Sequence, residues 1–216
     1  MILLDPFDIY FPDPLLLDSD SGLVAMGGDL SPQRLWFAYC LGIFPWSNPD
    51  EELLWWCPDP RFVLFPEKLK VSKSMKKILR DNIFTFTENN AFRQVMDACK
   101  NASRKAQDGT WITDELIDSF EILHQHGHAK SFEVWQNKEL VGGFYGLKIG
   151  NIFCGESMFA HVSNASKAAF IHFVEVHPEI KLIDCQIHSP HLESLGAEMI
   201  SKKEFLQQLK SQVNEY

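Results

Sequence analysis

The chain has 216 residues, of which 45% are apolar and 12% aromatic, and its formal net charge is −9. The composition is typical of a globular protein and excludes a disordered chain, and the length allows one or two domains with a full hydrophobic core. No apolar run approaches the roughly 18 residues needed to span a bilayer, and the N-terminal residues lack the basic and apolar regions of a signal peptide, so we expect neither feature.

The charge is distributed unevenly along the chain. Residues 1–60 contain one basic and ten acidic residues. Residues 61–105 contain eleven basic and four acidic residues, and residues 106–216 contain eight basic and fifteen acidic residues. The net acidity argues against a general nucleic-acid binder, whereas the basic middle could meet a polyanion or could be an ordinary solvated face. Five scattered cysteines without a C-x-x-C pair indicate reduced thiols, so we expect a cytoplasmic protein.

Residues 1–62 are predicted to form a small N-terminal domain. Residues 1–30 are rich in Pro, Asp and Gly and predict an irregular segment. Ser31 and Pro32 predict the start of a helix that Gly42 ends. Three tryptophans then lie beside prolines: Trp46, Trp55 and Trp56. They could form a small aromatic core, or one of them could stack on a base or ring.

Residues 63–216 are predicted to form a second domain. Hydrophobic spacing and capping residues predict helices over 72–80, 90–102, 113–127, 164–176 and from 201 onward. Alternation and turn residues predict strands over 83–87, 131–136, 139–147, 151–159, 181–187 and 197–200. The fold class is therefore α+β, with a small N-terminal α/β domain followed by a mixed-sheet domain. The order of elements resembles the acyltransferase-like (GNAT-like) fold, but segment 160–167 lacks the glycines that bind CoA pyrophosphate in that fold.

The strand Leu182–Ile187 carries an unusual polar pair. Alternation places Asp184 and Gln186 on one face of a strand that is otherwise apolar. Since an ionisable side chain there is unfavourable unless paired, Asp184 could tie down a neighbouring loop, or the carboxylate and the amide could together handle a proton or an amine. The strand Phe153–Phe159 carries an acid of the same kind, Glu156, and two such strands can converge on one site.

Evidence for metal or nucleotide chemistry is weak in this sequence. His124, His126 and His128 alternate at a helix end, where residues i and i+2 do not face each other, and no acid stands nearby in a known ligand spacing. The phosphate-binding pattern G-x-x-x-x-G-K-[ST] does not occur. We therefore expect neither a metal nor a cofactor.

Seven segments together resemble one protein family. They are Gly22-Leu-Val-Ala-Met-Gly-Gly-Asp-Leu30, Gly42-Ile-Phe-Pro-Trp46, Trp55-Trp-Cys-Pro-Asp-Pro-Arg61, Gly109-Thr-Trp-Ile-Thr113, Phe153-Cys-Gly-Glu-Ser-Met-Phe159, Asn164-Ala-Ser-Lys167 and Leu182-Ile-Asp-Cys-Gln186. These segments are similar to those of the leucyl/phenylalanyl-tRNA–protein transferases. The resemblance implies an aminoacyltransferase that moves Leu or Phe, less often Met, from aminoacyl-tRNA to the N-terminal Arg or Lys of a protein and marks that protein for N-degron degradation.

The resemblance also implies roles for individual residues. Gln186 would accept a hydrogen bond from the attacking α-amine, Asp184 would polarise Gln186 or hold the cation, and Glu156 would add an acceptor. Trp46 and Trp111 would lie near the terminal adenosine and the aminoacyl group. The pocket for the Leu or Phe side chain would be lined by Phe144, Phe153, Met158, Phe170 and Phe173. The basic residues that would meet tRNA phosphates are Lys73, Lys76, Lys77 and Arg80.

Two residues depart from the family pattern. Phe120 stands where many members have Tyr, so a hydroxyl is absent, and Phe144 is bulkier than the expected Met and would narrow the pocket. We expect a monomer with no membrane partner. Two alternatives stay open at this point: an acyltransferase with a small thioester donor, and a non-catalytic adaptor that binds basic N-termini through its acidic surface.

Overall fold

The structure, a computed structural model, describes residues 2–17, 21–48, 51–102 and 110–213. Its helices are α1 (Pro32–Cys40), α2 (Lys73–Arg80), α3 (Phe92–Lys100), α4 (Asp114–Gln125), α5 (Ala165–Val176), α6 (Pro190–Glu193) and α7 (Lys202–Val213). Its strands are β1 (Ile2–Leu4), β2 (Leu23–Gly27), β3 (Phe44–Pro45), β4 (Leu54–Trp56), β5 (Arg61–Leu64), β6 (Thr85–Glu88), β7 (Ala129–Gln136), β8 (Glu139–Ile149), β9 (Ile152–Ala160), β10 (Leu182–Gln186) and β11 (Glu198–Ile200). This mixture of helices and sheets confirms the α+β class.

Side-chain caps determine where several helices begin. The hydroxyl of Ser72 accepts a hydrogen bond from the backbone N–H of Met75, and the hydroxyl of Thr113 accepts one from that of Leu116. Each bond satisfies a backbone donor that has no partner within the helix, which is why the sequence located α2 and α4 so closely. At the other end of α1, Gly42 takes a left-handed φ of 75°, as a helix-ending glycine does.

A small four-stranded sheet, in the order β1-β2-β4-β3, forms the N-terminal part of the chain. The prediction of an irregular segment over residues 1–30 is wrong, because Leu23–Gly27 forms a strand between β1 and β4. The Pro, Asp and Gly residues lie mostly outside this short strand, which is held by its two partners and by burial of Val24 and Ala25.

A larger sheet of seven strands, in the order β11-β5-β10-β9-β8-β7-β6, forms the rest of the molecule. All neighbouring strands in it are antiparallel except β9 and β10, which run parallel. Strand β5 pairs with β10 and β11. The expected domain boundary after residue 62 therefore falls inside a strand of the larger sheet.

The apolar side chains form two clusters, one on each face of the larger sheet. Successive residues of β10 alternate between them, with Leu182 in one cluster and Ile183 in the other. The small sheet shares the first cluster through Trp55, which is fully buried and donates from its indole nitrogen to the carbonyl of Gly27 at 2.9 Å. Trp46, by contrast, is 41% exposed and stays available for stacking.

Helix α5 lies unusually close to β8. A β-carbon added to Gly142 would come within 2.6 Å of the β-carbon of Ala165, so only glycine permits this contact. The close approach fixes the first turns of α5 against the sheet. Across the ranges that the structure describes, no helix has both the length and the apolar character needed to cross a membrane.

Candidate active site

A cleft opens where β9 and β10 stop pairing. The two parallel strands are in register only over Leu182–Asp184 and the facing residues 152–154. Beyond this point β9 continues to Ala160, whereas β10 ends at Gln186. Because the strands are no longer joined by backbone hydrogen bonds, a cleft of about 910 Å³ forms between them.

A bulge in β9 directs Glu156 towards this cleft. Gly155 faces Gly146 on β8 and Ser157 faces Tyr145, so Glu156 is the extra residue between two paired positions. A β-carbon at Gly146 would lie 2.1 Å from the carbonyl oxygen of Cys154, so the distorted register requires glycine here. Bulges of this kind re-aim side chains and occur often beside active sites.

A second bulge, in β10, orients Gln186. Asp184 faces Val63 on β5 and Gln186 faces Phe62, which leaves Cys185 as the extra residue. Gln186 has a φ of 64°, a left-handed conformation that residues other than glycine adopt rarely. The strict alternation predicted for this strand therefore holds only as far as Asp184, and consecutive residues from Ile183 onward line the cleft.

The structure brings the three predicted catalytic residues together. The side-chain nitrogen of Gln186 donates to Oε1 of Glu156 at 2.7 Å. The backbone nitrogen of Gln186 donates to Oδ1 of Asp184 at 3.0 Å. The carboxylate of Asp184 in turn accepts two hydrogen bonds from Arg61, each of 2.7 Å. Asp184 thus has a cationic partner within the protein and also ties down the residue that follows the bulge.

Arg61 ends one of the seven family-like segments, but the sequence analysis did not predict that it belongs to the site. Its side chain is 1% exposed and its guanidinium lies between the rings of Phe44 and Phe205, at 4.8 and 4.5 Å from their centres. Burial acts to lower the pKa of Arg61, but the charge and hydrogen bonds of Asp184 outweigh it and raise that pKa. Arg61 is therefore charged in a dry environment, and its two parallel hydrogen bonds orient the carboxylate of Asp184.

Glu156 has the electrostatic properties of a proton acceptor. The pKa of its carboxyl is raised to about 7: burial and the neighbouring charge of Asp184 raise it, and together they outweigh Tyr39, Gln186 and Arg61, which lower it. Its side chain is partly exposed at the floor of the cleft. Near neutral pH this carboxyl therefore exists in both protonation states.

The walls of the cleft are largely apolar and aromatic. The predicted substrate-binding residues that line it are Trp46, Trp111, Phe144, Met158 and Phe170. Phe153 and Phe173 do not line it, and the expectation that they do is corrected here. Both are buried behind Phe144, with ring centres 5.9 and 5.5 Å from it, in the aromatic cluster that supports the wall.

Comparison with protein-family models gives two matches. The model described as leucyl/phenylalanyl-tRNA protein transferase covers residues 63–210, and the model of its N-terminal domain covers residues 28–59. The chain belongs to the leucyl/phenylalanyl-tRNA–protein transferase family. It is accordingly an enzyme, a transferase.

Individual relatives agree with this family assignment. A leucyl/phenylalanyl-tRNA–protein transferase of Flavobacterium johnsoniae is 51% identical over 206 residues, which are 94% of this chain and 97% of the relative. Another, of Christiangramia forsetii, is 54% identical over 200 residues, or 91% and 94% of the two chains. Among solved structures, a GCN5-related N-acetyltransferase from Kribbella flavida is 9% identical over 77% of this chain and 60% of its own, with a TM-score of 0.39.

Other residues predicted from the family resemblance lie outside the cleft. The four basic residues of α2 are exposed on one helix that is anchored by the buried Met75.

The histidines at the end of α4 have separate partners: His124 stacks on Phe92 at 4.2 Å and His128 on Trp36 at 3.8 Å. Among the described residues, no group of three His, Cys, Asp or Glu side chains could hold a metal ion.

Residues that no sequence pattern selected also line the cleft. They are contributed mainly by the segment after β10 and include His188, Ser189 and His191. Burial lowers the pKa of His191, and nearby Lys167 adds to this effect, which favours a neutral imidazole. The sequence around them has no catalytic spacing that could have singled them out.

Proposed function

We propose that the chain transfers Leu or Phe, less often Met, from aminoacyl-tRNA to the N-terminal Arg or Lys of a protein and so marks that protein for degradation in the cytoplasm. The observation that carries this proposal is the hydrogen bond between Gln186 and Glu156 at the floor of an apolar cleft. A polar pair that can hold an amine is thereby combined with walls that can hold a Leu or Phe side chain.

The chemistry needs positioning and one proton transfer, because an aminoacyl ester is already an activated acyl group. The α-amine nitrogen of the acceptor attacks the ester carbonyl carbon and a C–N bond forms. The bond between that carbon and the terminal ribose oxygen of the tRNA then breaks. The amine loses one proton and the departing oxygen gains one, so the protein has to orient the amine and move a proton.

Glu156 is the residue best suited to take this proton. Its pKa of about 7 is close to the roughly 7.7–8.0 of a free α-amine, and a general base works best when its pKa lies near the operating pH. Asp184 is poorly suited, since both of its oxygens already accept hydrogen bonds from Arg61. The protonated Glu156 can then return the proton to the departing oxygen.

Gln186 is suited to orient the amine. Its side-chain nitrogen is engaged by Glu156, which fixes the amide plane and directs the amide oxygen away from that carboxylate. Asp184 holds the backbone nitrogen of Gln186, so Asp184 and Arg61 are proposed to act as positioning residues. The acceptor amine would lie between Gln186 and Glu156.

The donor side chain is proposed to lie against Met158, which faces Phe144 across β8 and β9. Replacing Met158 with Trp should lower Phe transfer about tenfold more than Leu transfer, because the added ring fills volume that the larger donor needs. The measurement is the initial rate with each aminoacyl-tRNA. Met199→Trp, at an exposed position of β11, is the matched control. Equal losses for both donors would show that Met158 does not select between them.

The exposed basic residues of α2 are proposed to contact phosphates of the tRNA. Changing Lys73, Lys76 and Lys77 to Glu should weaken the binding of tRNA whatever its nucleotide sequence. The slope of log affinity against log salt should fall by about 1 for each phosphate that the protein no longer neutralises. The comparison is with the same charge change at three exposed lysines on other elements: Lys138, Lys203 and Lys210. If both triple variants bind tRNA alike at all salt concentrations, the α2 surface is only solvated.

The direct test of the function is a transfer assay without ATP. The protein is mixed with Leu-tRNA that is labelled in its leucine and with a peptide that begins with Arg, and the label is followed into the peptide. A peptide of the same composition that begins with Asp is the control. We expect label only in the first peptide. Binding of the Arg peptide without transfer would instead favour an adaptor, and transfer from a thioester but not from Leu-tRNA would favour a small-donor acyltransferase.

A further inference from the structure

Tyr39 has a buried hydroxyl that the mechanism proposed above does not use. The residue lies in the last turn of α1 and is 1% exposed. Its hydroxyl completes no hydrogen bond of ordinary geometry with the described residues. Buried polar atoms are nearly always hydrogen-bonded, so an exception next to a catalytic site calls for a physical explanation.

The group that faces this hydroxyl is the carboxylate of Glu156. Burial raises the pKa of Tyr39 well above its ordinary value and the charge of Glu156 raises it further, so the hydroxyl stays protonated and can donate. Tyr39 in turn lowers the pKa of Glu156, against the effect of burial. The two groups are therefore close enough to interact, although the hydroxyl of Tyr39 makes no hydrogen bond of ordinary geometry with the described residues. Catalytic hydrogen bonds often tighten only when substrate is bound.

Packing alone does not account for the hydroxyl. The ring of Tyr39 lies edge-on to Phe120, with ring centres 6.3 Å apart, and a phenylalanine at position 39 would make the same contact. Since Phe120 carries no hydroxyl of its own, Tyr39 has no polar partner on that side. The hydroxyl is thus left facing the carboxylate.

We propose that Tyr39 is a positioning residue for Glu156: its hydroxyl donates to the ionised carboxylate as the acceptor amine binds and keeps that carboxylate ionised at neutral pH. The inference rests on the proposed function, in which Glu156 takes the proton. It also gives α1 a part in positioning the proton acceptor, beyond covering one side of the core.

Other ionisable groups also face Glu156 and have to be kept unchanged in a test. Asp184 on β10 and Arg61 on β5 act on it with opposite sign, and Cys154 precedes it on β9 with a thiol whose pKa burial raises well above its ordinary value. Tyr145 on β8 lies beside Tyr39. A variant that removes only the hydroxyl of Tyr39 leaves all of these groups in place.

The experiment compares Tyr39→Phe with the parent and with Tyr10→Phe, which removes the same atom at an exposed position. Carbon-13 NMR of protein labelled at its glutamate carboxyls, with Glu156→Gln used to assign the signal, gives the titration midpoint of Glu156 directly. The pH dependence of transfer is measured in parallel. Losing a hydrogen bond to a charged group should move the titration midpoint of Glu156 upward by about 1 pH unit. At pH values below this midpoint, Tyr39→Phe should therefore transfer about tenfold more slowly than the parent, and at high pH the two rates should become equal.

The possible outcomes separate this inference from the proposed function. A raised Glu156 midpoint together with a shifted rate profile supports both. A raised midpoint with an unmoved rate profile supports the role of Tyr39 and overturns that of Glu156 as proton acceptor. An unmoved midpoint overturns the inference. If Tyr39→Phe does not fold, a ring-fluorinated tyrosine is placed at position 39 instead. Its hydroxyl is a stronger hydrogen-bond donor, so the titration midpoint of Glu156 should fall. A midpoint that does not fall would overturn the inference.

Discussion

Replacing Glu156 with Gln should lower the rate of transfer by about 10²–10⁴-fold, the usual effect of losing one acid–base group. Gln keeps the size of the side chain and an oxygen that can accept from Gln186, but it cannot take a proton. The measurement is single-turnover transfer from Leu-tRNA to a peptide that begins with Arg. Glu139→Gln, at an exposed position on β8, is the matched control and should transfer at the parent rate. A rate within threefold of the parent would remove Glu156 from the mechanism.

The same variant makes a second measurement possible, because the sign of the pKa shift fixes how stability depends on pH. The pKa of Glu156 in the folded protein is raised from its ordinary 4.5 to about 7. The stabilisation from keeping this group neutral is therefore fully present below about pH 4.5 and is lost as the pH rises through 7. As the pH rises from 5 to 8, the melting temperature of Glu156→Gln should therefore increase relative to that of the parent. A loss over that range would mean that the ionised carboxylate is a structural anchor.

Replacing Arg61 with Met should lower the free energy of unfolding by about 3–5 kcal/mol. The carboxylate of Asp184 would stay buried, and it would lose its two hydrogen bonds and its cationic partner together. The measurement is equilibrium unfolding by urea. Arg93→Met is the matched control: Arg93 also meets two carboxylates, those of Asp118 and Glu121, but on the surface, where such pairs contribute little.

A double variant distinguishes the effect of the ion pair from that of packing. In Arg61→Met with Asp184→Asn, no unpaired charge is buried, and Asn can still accept from the backbone of Gln186. We expect it to recover most of the stability that Arg61→Met loses, because replacing both partners of a buried pair is usually far less harmful than removing one. If the double variant is no more stable than Arg61→Met, the aliphatic and stacking interactions of Arg61 dominate.

The larger elements could be predicted from the sequence because their signals are local. A capping residue such as Ser72 or Thr113 bonds to a backbone group only three residues away, so both partners are visible in one short window. The short strand β2 had no such signal. Its stability depends on β1 and β4, and its own composition resembles that of a loop.

The three proposed catalytic residues could be predicted from the sequence, whereas the partner of Asp184 and the bulged geometry of the two strands could not. Acids in apolar strands are visible in the sequence, which is how Asp184 and Glu156 were found. The partner of Asp184, Arg61, is 123 residues away, and no local pattern links the two side chains. The two bulges depend on how neighbouring strands pair, so the left-handed Gln186 could not be deduced from alternation. Likewise Phe153 and Phe173 cannot be told from cleft residues until the register is known.

The aromatic enclosure of Arg61 has a consequence for folding during synthesis. One of its rings, Phe44, belongs to the small N-terminal sheet, and the other, Phe205, belongs to α7 near the other end of the chain. Because a chain leaves the ribosome N-terminus first, the guanidinium has only one aromatic cover until α7 emerges. The aromatic enclosure of the Arg61–Asp184 ion pair is therefore complete only after α7 has been synthesised and has packed against the larger sheet.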